Sequence, residues 1–237
     1  MTNEGMTSDE LTISPEISTI IPVLNDAVAL RDCLSALGQC ANAHINEIIV
    51  ADGGASAEIA GIAQDFHAAY VSCARGRAVQ MNRAAQQARG AWLWFLHADC
   101  LPDAQSLCAI LELRAQDAWG CFKHRIESER RAFRVIETMD NVRAGLGCPY
   151  GDQGIFVRAE FFRALKGYPE VPLLEDVLLG KNLRELSAPR VLKPVLRANA
   201  RRWERRGITS TMLRNWRIMF EFLSGRKTPH ELAAFYE

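Results

Sequence analysis

Polar residues able to do chemistry recur along this chain where apolar stretches stop. Asn25 and Asp26 follow the run Ile17–Val23, Asp52 closes Glu47–Ala51, Arg75 and Arg77 follow Tyr70–Cys73, and His97 and Asp99 follow Ala91–Leu96. Taken singly, each suits a turn or a helix cap, and Asp26 in particular suits the cap of the helix after it. Together they describe a binding rim better, because ligands of open α/β sheets collect beyond the carboxyl ends of the strands. A carboxylate just past a buried strand, as at Asp99, can meet a divalent cation bridging two phosphates, since Mg2+ and Mn2+ favour oxygen ligands. His97 could bind or orient the same group. The alternative makes Asp99 a cap for the helix starting near Asp103, with Pro102 setting the turn; the tripeptide alone leaves both open.

Arg75 and Arg77 flank Gly76, either as a solvated turn or as a bidentate grip on a diphosphate. One turn into the next helix, Asn82 suits a sugar hydroxyl or an ordinary surface. Asp152 and Gln153, after Gly151, offer an acid and an amide to hydroxyl groups or stabilise the turn they stand in. Glu175-Asp176 at a helix start is either a pair of favourable dipole partners or a source of a catalytic base.

The elements that must position these groups alternate. Strands are expected at Ile17–Val23, Glu47–Ala51, Tyr70–Cys73 and Ala91–Leu96, and between them lie helices with apolar residues at helical spacing, such as Leu30, Cys33, Leu34 and Leu37. Ser56 caps the second helix and Gly90 stops the third. A helix is expected over Ala104–Ala115, a longer strand over Trp119–Ile126, and a helix over Glu129–Ala144 with Ala132, Phe133, Ile136 and Met139 on one face. A glycine-rich loop, the strand Ile155–Val157, the helices Ala159–Leu165 and Glu175–Leu186, an extended segment Arg190–Ala198 broken by Pro194, and a last helix Thr209–Leu223 complete the chain. Strand–helix alternation indicates a mostly parallel sheet with right-handed crossovers. Residues 1–16 read as a flexible leader and 17–237 as one domain, with 17–115 for a nucleotide and 116–237 for an acceptor.

Composition sets bounds. The chain is 49% hydrophobic and 24% charged, with zero formal net charge, so no strongly electrostatic nucleic-acid surface is expected. Seven cysteines lack C-x-x-C spacing and read as buried thiols of a reducing compartment. The N-terminus lacks the basic and apolar regions of a secretory signal, and no apolar run approaches the length of a membrane helix. A cytoplasmic protein is expected, with attachment to the inner face of a membrane left open.

The segments IPVLND (21–26), IIVADGG (48–54), GRAVQMNRAA (76–85) and FLHAD (95–99) resemble the N-terminal half of family 2 glycosyltransferases. PYGDQGIFVR (149–158), GYPEVPLLEDV (167–177) and ARRWERRG (200–207) resemble the second half of a bacterial subgroup of small stand-alone members. The likeness runs from about Ile17 to Tyr236. It implies an α/β protein with the GT-A fold: a Rossmann-like, mostly parallel sheet flanked by helices, with a mixed C-terminal acceptor region. It also implies inverting transfer of a sugar from a nucleoside-diphosphate donor, with Mg2+ or Mn2+, to an acceptor left unidentified and open to being lipid-linked.

Carried over by position, Asp52 resembles the carboxylate that recognises base or ribose, with Pro22 and Asn25 lining the nucleoside pocket. Asp99 matches the last acid of the family's Asp-x-Asp motif, and His97 stands where many relatives have the first. The family's Gly-Ser-Thr-Asp after the second strand is Gly54-Ala55-Ser56-Ala57 here, so that acid is absent. The resemblance favours Arg77 for the diphosphate, Gln153 for the acceptor side, and Asp176 as the base facing the acceptor hydroxyl, with Glu175 orienting the loop or an arginine. Arg201, Arg202 and Trp203 match the Arg-Trp end of a Gln-x-x-Arg-Trp motif whose Gln is missing. They are expected to meet the diphosphate or the acceptor.

Two other readings remain. A nucleotidyltransferase of similar fold would carry a glycine-rich basic loop after the first strand, and this chain has Pro22-Val23-Leu24-Asn25-Asp26 there. A non-catalytic nucleotide-sugar-binding protein would not need Asp99, Asp152 and Asp176. In the last helix Met212, Leu213, Trp216, Met219, Phe220 and Leu223 form an apolar stripe opposite Arg214, Arg217 and Glu221. Residues 209–223 are expected to pack on the domain or a second subunit, or to lie on a membrane surface.

Overall fold

Ile17–Val23 forms a strand (β1) in which all seven residues are buried, as a strand covered on both faces by other elements must be. The computed structural model describes residues 16–200 and 207–235. The leader and the Arg201–Arg206 cluster therefore fall almost wholly outside the described residues. After β1 come α1 (Ala27–Gly38), β2 (Asn46–Asp52), α2 (Ala57–Asp65), β3 (Ala69–Ser72), α3 (Arg77–Ala85) and β4 (Trp92–Phe95). These strands pair in parallel in the order β3-β2-β1-β4. Asp26 caps α1 by accepting from Ala29 N at 3.1 Å, and Ser56 caps α2, both by the side-chain-to-backbone logic of helix starts.

The second half adds β5 (Cys100–Leu101), α4 (Ser106–Leu111), β6 (Trp119–Glu127), α5 (Arg131–Gly145), β7 (Phe156–Arg158), α6 (Ala159–Ala164), α7 (Glu175–Arg184), β8 (Arg190–Asn199), α8 (Ile208–Leu223) and α9 (Pro229–Ala233). β7 runs antiparallel to both β4 and β6, β8 parallel to β6, and β5 antiparallel to β8, which extends the sheet to β3-β2-β1-β4-β7-β6-β8-β5. Pro194 does not end β8. The register with β6 shifts there, Phe122 facing Leu192 and Lys123 facing Val195, so the proline sits in an irregularity where no ladder donor is needed. α4 is shorter than its apolar pattern suggests, because Asp103 Oδ1 turns the chain by accepting from Gln105 N and Asp117 Oδ2 accepts from Arg114 N.

Side chains alternate between two cores. Trp92 and Trp94 of β4 point to one, shared with Leu30, Leu34, Ile59 and Phe122. Leu93 and Phe95 point to the other, shared with Met81, Trp119, Phe162 and Leu179, the period of two that a pleated strand imposes. The N-terminal half of the sheet is thus clamped between α1 and α2 on one face and α3, α6 and α7 on the other.

Gly120 of β6 marks the tightest crossing of chains. A Cβ there would run into the ring of Phe156 and the carbonyl oxygen of Arg190, and that carbonyl cannot swing away without breaking the β6–β8 pairing. Gly61, in the exposed middle of α2, has open space where its Cβ would stand. Gly120→Ala is therefore expected to lower stability by about 1–3 kcal/mol or more, and Gly61→Ala to raise it by about 0.5–1 kcal/mol. Urea unfolding of the two variants beside the parent measures this, and shifts of the same sign would contradict the packing described.

Candidate active site

The carboxyl ends of β1 and β2 are fixed by one buried side chain that pattern reading overlooked. Gln80 of α3 donates from Nε2 to the Val23 carbonyl at 2.8 Å and to the Ala51 carbonyl at 2.7 Å. It thereby bridges two strand-end carbonyls, of which Val23 also accepts from Gly53 N at 3.0 Å. Beside them Asp52 is fully buried; its oxygens accept from Gly54 N (2.8 Å), Ser56 N (2.7 Å) and Tyr70 Oη (3.0 Å). Pro22 lies buried in β1 opposite Ala51. Asn25 is exposed, with a left-handed φ of 53°, a conformation asparagine adopts more readily than most residues.

A second, larger feature lies next to this rim. A cavity of about 360 Å3 is bordered by Arg77, His97, Asp99, Asp152 and Asp176 on its polar side and by α5 and α8 on its apolar side. Asp176 is buried, and its carboxylate accepts from Gly151 N and from Val177 N, each at 2.7 Å. Glu175, also buried, meets Arg77 Nε at 2.8 Å. Burial raises the Glu175 pKa, and the neighbouring Asp176 adds to the rise against the pull of Arg77. Burial likewise opposes the charge on Arg77, but Glu175, Asp176, Asp152 and Asp99 outweigh it and hold the guanidinium charged. His97 packs so closely on Gly151 that a Cβ there would collide with the imidazole. Burial and then Arg77 lower its pKa, overcoming the nearby carboxylates, so the ring is neutral with a free nitrogen lone pair at ordinary pH.

Behind the cavity stands a charge cluster that the sequence reading did not single out. His124 of β6, on the inward phase of an alternating strand, is 3.4 Å from Asp140 and 3.5 Å from Asp152. Burial would depress its pKa; the two carboxylates push it up to about 10. Burial also disfavours ionised Asp152, but His124 holds that carboxyl well below the usual range. Arg143 pairs with Asp140 at 3.1 Å, donates to the Cys148 carbonyl and covers the Tyr150 ring with its guanidinium 3.3 Å from the centroid. The signal available was a histidine at a buried strand position between Lys123 and Arg125.

The structure thus gathers Arg77, His97, Asp99, Asp152, Glu175 and Asp176, and sets Pro22, Asn25 and Asp52 on the adjoining rim. Asn82 uses its amide on the backbone of Tyr168, donating at 2.9 Å and accepting at 2.8 Å. Gln153 is fully buried and bonds Tyr150 N and Asn141. Arg201, Arg202 and Trp203 lie outside the described residues; Ala198 and Asn199, just before them, border the cavity. Asp99 is not the cap of the next helix, since α4 begins only at Ser106 and Asp103 supplies the turn before it. Its exposed carboxylate, with the neutral imidazole of His97 two residues away, fits a cation that keeps waters and takes phosphate oxygens as further ligands. Among the described residues no group of three or more His, Cys, Asp or Glu side chains could hold a metal ion by itself.

Comparison with known proteins adds a family. The family model described as Glycosyl transferase family 2 matches residues 18–165, more than half of the chain. Glycosyltransferase AglE of Haloferax volcanii is 34% identical over 101 residues, covering 39% of this chain and 33% of AglE. Among solved structures, TarS from S. aureus aligns with a TM-score of 0.63 at 16% identity, over 78% of this chain and 60% of the other. The mannosyltransferase PcManGT from Pyrobaculum calidifontis aligns at 0.62 and 17% identity, over 87% and 61%. Glucosyl-3-phosphoglycerate synthase from Mycobacterium tuberculosis aligns at 0.55 and 17%, over 78% and 70%. Such identities establish the fold, which is GT-A. The chain spans a third of AglE's length and about three fifths of the first two structures.

The His124 cluster makes stability depend on pH in a defined direction. Its folded pKa of about 10 lies above the ordinary 6.5. The contribution is therefore full below pH 6.5 and is lost as pH rises through 10. Asp152, depressed from 3.8, contributes above that value and loses its contribution on acidification. His124→Gln should therefore unfold at lower denaturant than the parent by the widest margin, a few kcal/mol, near pH 6, with the gap closing toward pH 10. Denaturant titrations across that range measure it, and a constant gap would mean an imidazole that is neutral throughout.

Proposed function

The chain belongs to glycosyl transferase family 2, and on that premise we propose that it transfers a sugar from a nucleoside-diphosphate donor to an acceptor hydroxyl, with inversion at the anomeric carbon. The observation that carries this reading is Asp176, oriented by Gly151 N and Val177 N on the wall of a cavity that it shares with Asp99 and Arg77. Asp176 takes the proton of the acceptor hydroxyl as that oxygen attacks, and the diphosphate leaves from the opposite face of the sugar. No protein nucleophile is needed for a single displacement. Related structures were solved with UDP, with UDP-GlcNAc, and with GDP-Man and Mn2+, which supports a nucleotide sugar as the donor.

In this reading Asp52, Pro22 and Asn25 hold the nucleoside, and Arg77, with Arg201 and Arg202, faces the diphosphate. Asp99, with His97 beside it, would hold Mg2+ or Mn2+, which would supply positive charge to the leaving group. Asn82 acts through the Tyr168 backbone that it grips, and Glu175 by aiming Arg77. Asp152, Gln153 and Trp203 serve the acceptor. Residues 17–115 form the donor half and 116–237 the acceptor half of one domain. The apolar cavity wall, with Ile136, Met139, Met212 and Trp216, supports an acceptor with an apolar portion, of which a lipid-linked sugar is one form. The outer side of residues 209–223 suits contact with a second subunit or a membrane surface.

Asp176→Asn keeps size and removes basicity, so turnover should fall by about 10²–10⁴-fold while donor affinity stays near that of the parent. Asp99→Asn should do the converse first, abolishing the metal-dependent part of donor binding. Calorimetric binding of UDP- and GDP-sugars with Mn2+ and with chelator, beside transfer assays on any active pair, separates the two. Full turnover at position 176, or undiminished metal-dependent binding at 99, would overturn the respective role.

A further inference from the structure

The apolar stripe of α8 faces inward only in part, through Met212 and Met219. Its buried residues are Thr211 and Ile218, and Ile218 packs with Leu173, Leu174, Val177 and Leu232. Leu213, Trp216, Phe220 and Leu223 are 50–68% exposed, and their spacing of three, four and three sets them on one side of the helix. α5 repeats the arrangement. Phe133 and Ile136 are buried, whereas Val135, Met139, Val142 and Leu146, again one helical stripe, are 43–67% exposed. The face expected from the sequence, with Ala132 and Met139 inside, is rotated, because Glu137 turns inward to accept from Ile126 N at 2.7 Å and pair with Arg134. The helices are neighbours, as Phe133 and Ile136 share a cluster with Ile208 and Met212. Met139, Trp216 and Leu223 belong to the stripes and also border the cavity, so the two ridges flank its mouth.

Within the two helices the exposed charges are basic, and the exposed acids nearby, Glu129 before α5 and Glu231 after α8, lie outside them. The acids of α5 are Glu137, buried, and Asp140, half-buried and paired with Arg143; the acid of α8, Glu221, is half-buried. The exposed ionised residues of the two helices are Arg131 and Arg217. Just beyond α8, Arg226 lies with its guanidinium 5.3 Å from the Phe220 ring, and Lys227 Nζ is 3.9 Å from the Phe235 ring. Aromatic and aliphatic side chains ringed by cations suit the boundary between headgroups and acyl chains of an anionic bilayer. The two helices offer a second copy no exposed carboxylate of their own to pair with these cations. Among the described residues no helix is long and apolar enough to cross a membrane.

We infer that the α5–α8 face docks on an anionic lipid bilayer, with the cavity opening onto that surface. This rests on the shape and charge of the face and is independent of the transfer reaction. Flotation of the full chain with vesicles of phosphatidylcholine, alone or mixed with phosphatidylglycerol, tests it. Binding is expected to the mixed vesicles, weakened by high salt. Phe220→Glu on α8 and Val142→Glu on α5, both at exposed positions outside the proposed site, should each reduce the bound fraction roughly tenfold or more, with circular dichroism unchanged. Absence of flotation at low salt overturns the inference. So does equal binding to both vesicle types, or a Val142→Glu chain that floats like the parent. A chain that sediments as a dimer without lipid, and as a monomer in both variants, would assign the face to a second copy instead.

Discussion

One guanidinium faces four carboxylates. Arg77 pairs with Glu175 and feels Asp176, Asp152 and Asp99, and bringing such acids together in a half-buried space is costly unless a fixed positive charge stands among them. The folded arrangement around Asp152 and Asp176 depends on this. Arg77 opens α3, Glu175 and Asp176 open α7, and Asp99 follows β4, so the ion pair ties the N-terminal half of the sheet to the helix that carries the proposed base. A second cation, His124, does the same for Asp140 and Asp152.

Packing completes what the charges begin. Leu174, directly before α7, has a left-handed φ of 65°, a conformation that costs a leucine about 1–2 kcal/mol. Its side chain is nonetheless buried with Leu173, Val177 and Ile218, and that burial offsets the strain. α8 therefore does more than cover apolar surface. Through Ile218 it packs on the backbone turn from which Glu175 and Asp176 project.

The N-terminal half was legible because each element carried its own signal. β1 has the same limits in sequence and structure, Asp26 and Ser56 cap as their positions suggest, and the apolar spacing of α1 matches its buried face. The two-residue β5 carries no period to read. The partners of Asn82 and Gln153 were not legible because an amide's partner is a matter of tertiary contact; one grips a distant loop and the other is buried. The face of α5 was misjudged for a single reason. Composition reports that apolar residues share a stripe, and only the neighbours decide whether that stripe turns inward. His124 and Gln80 escaped notice because a lone polar residue in a buried phase becomes meaningful only with its partners in view.

The contact between His97 and Gly151 bears on how such a site can change over generations. The imidazole occupies the space where a Cβ would stand, while the Gly151 N–H is already committed to Asp176. Residue 151 is thus fixed by position 97 on one side and by position 176 on the other. A lineage that replaced His97 with a short acid would vacate that space and permit a larger residue at 151. A lineage that enlarged 151 first would displace the imidazole and disturb the carboxylate together. On steric grounds, room at 151 has to be made at 97 first.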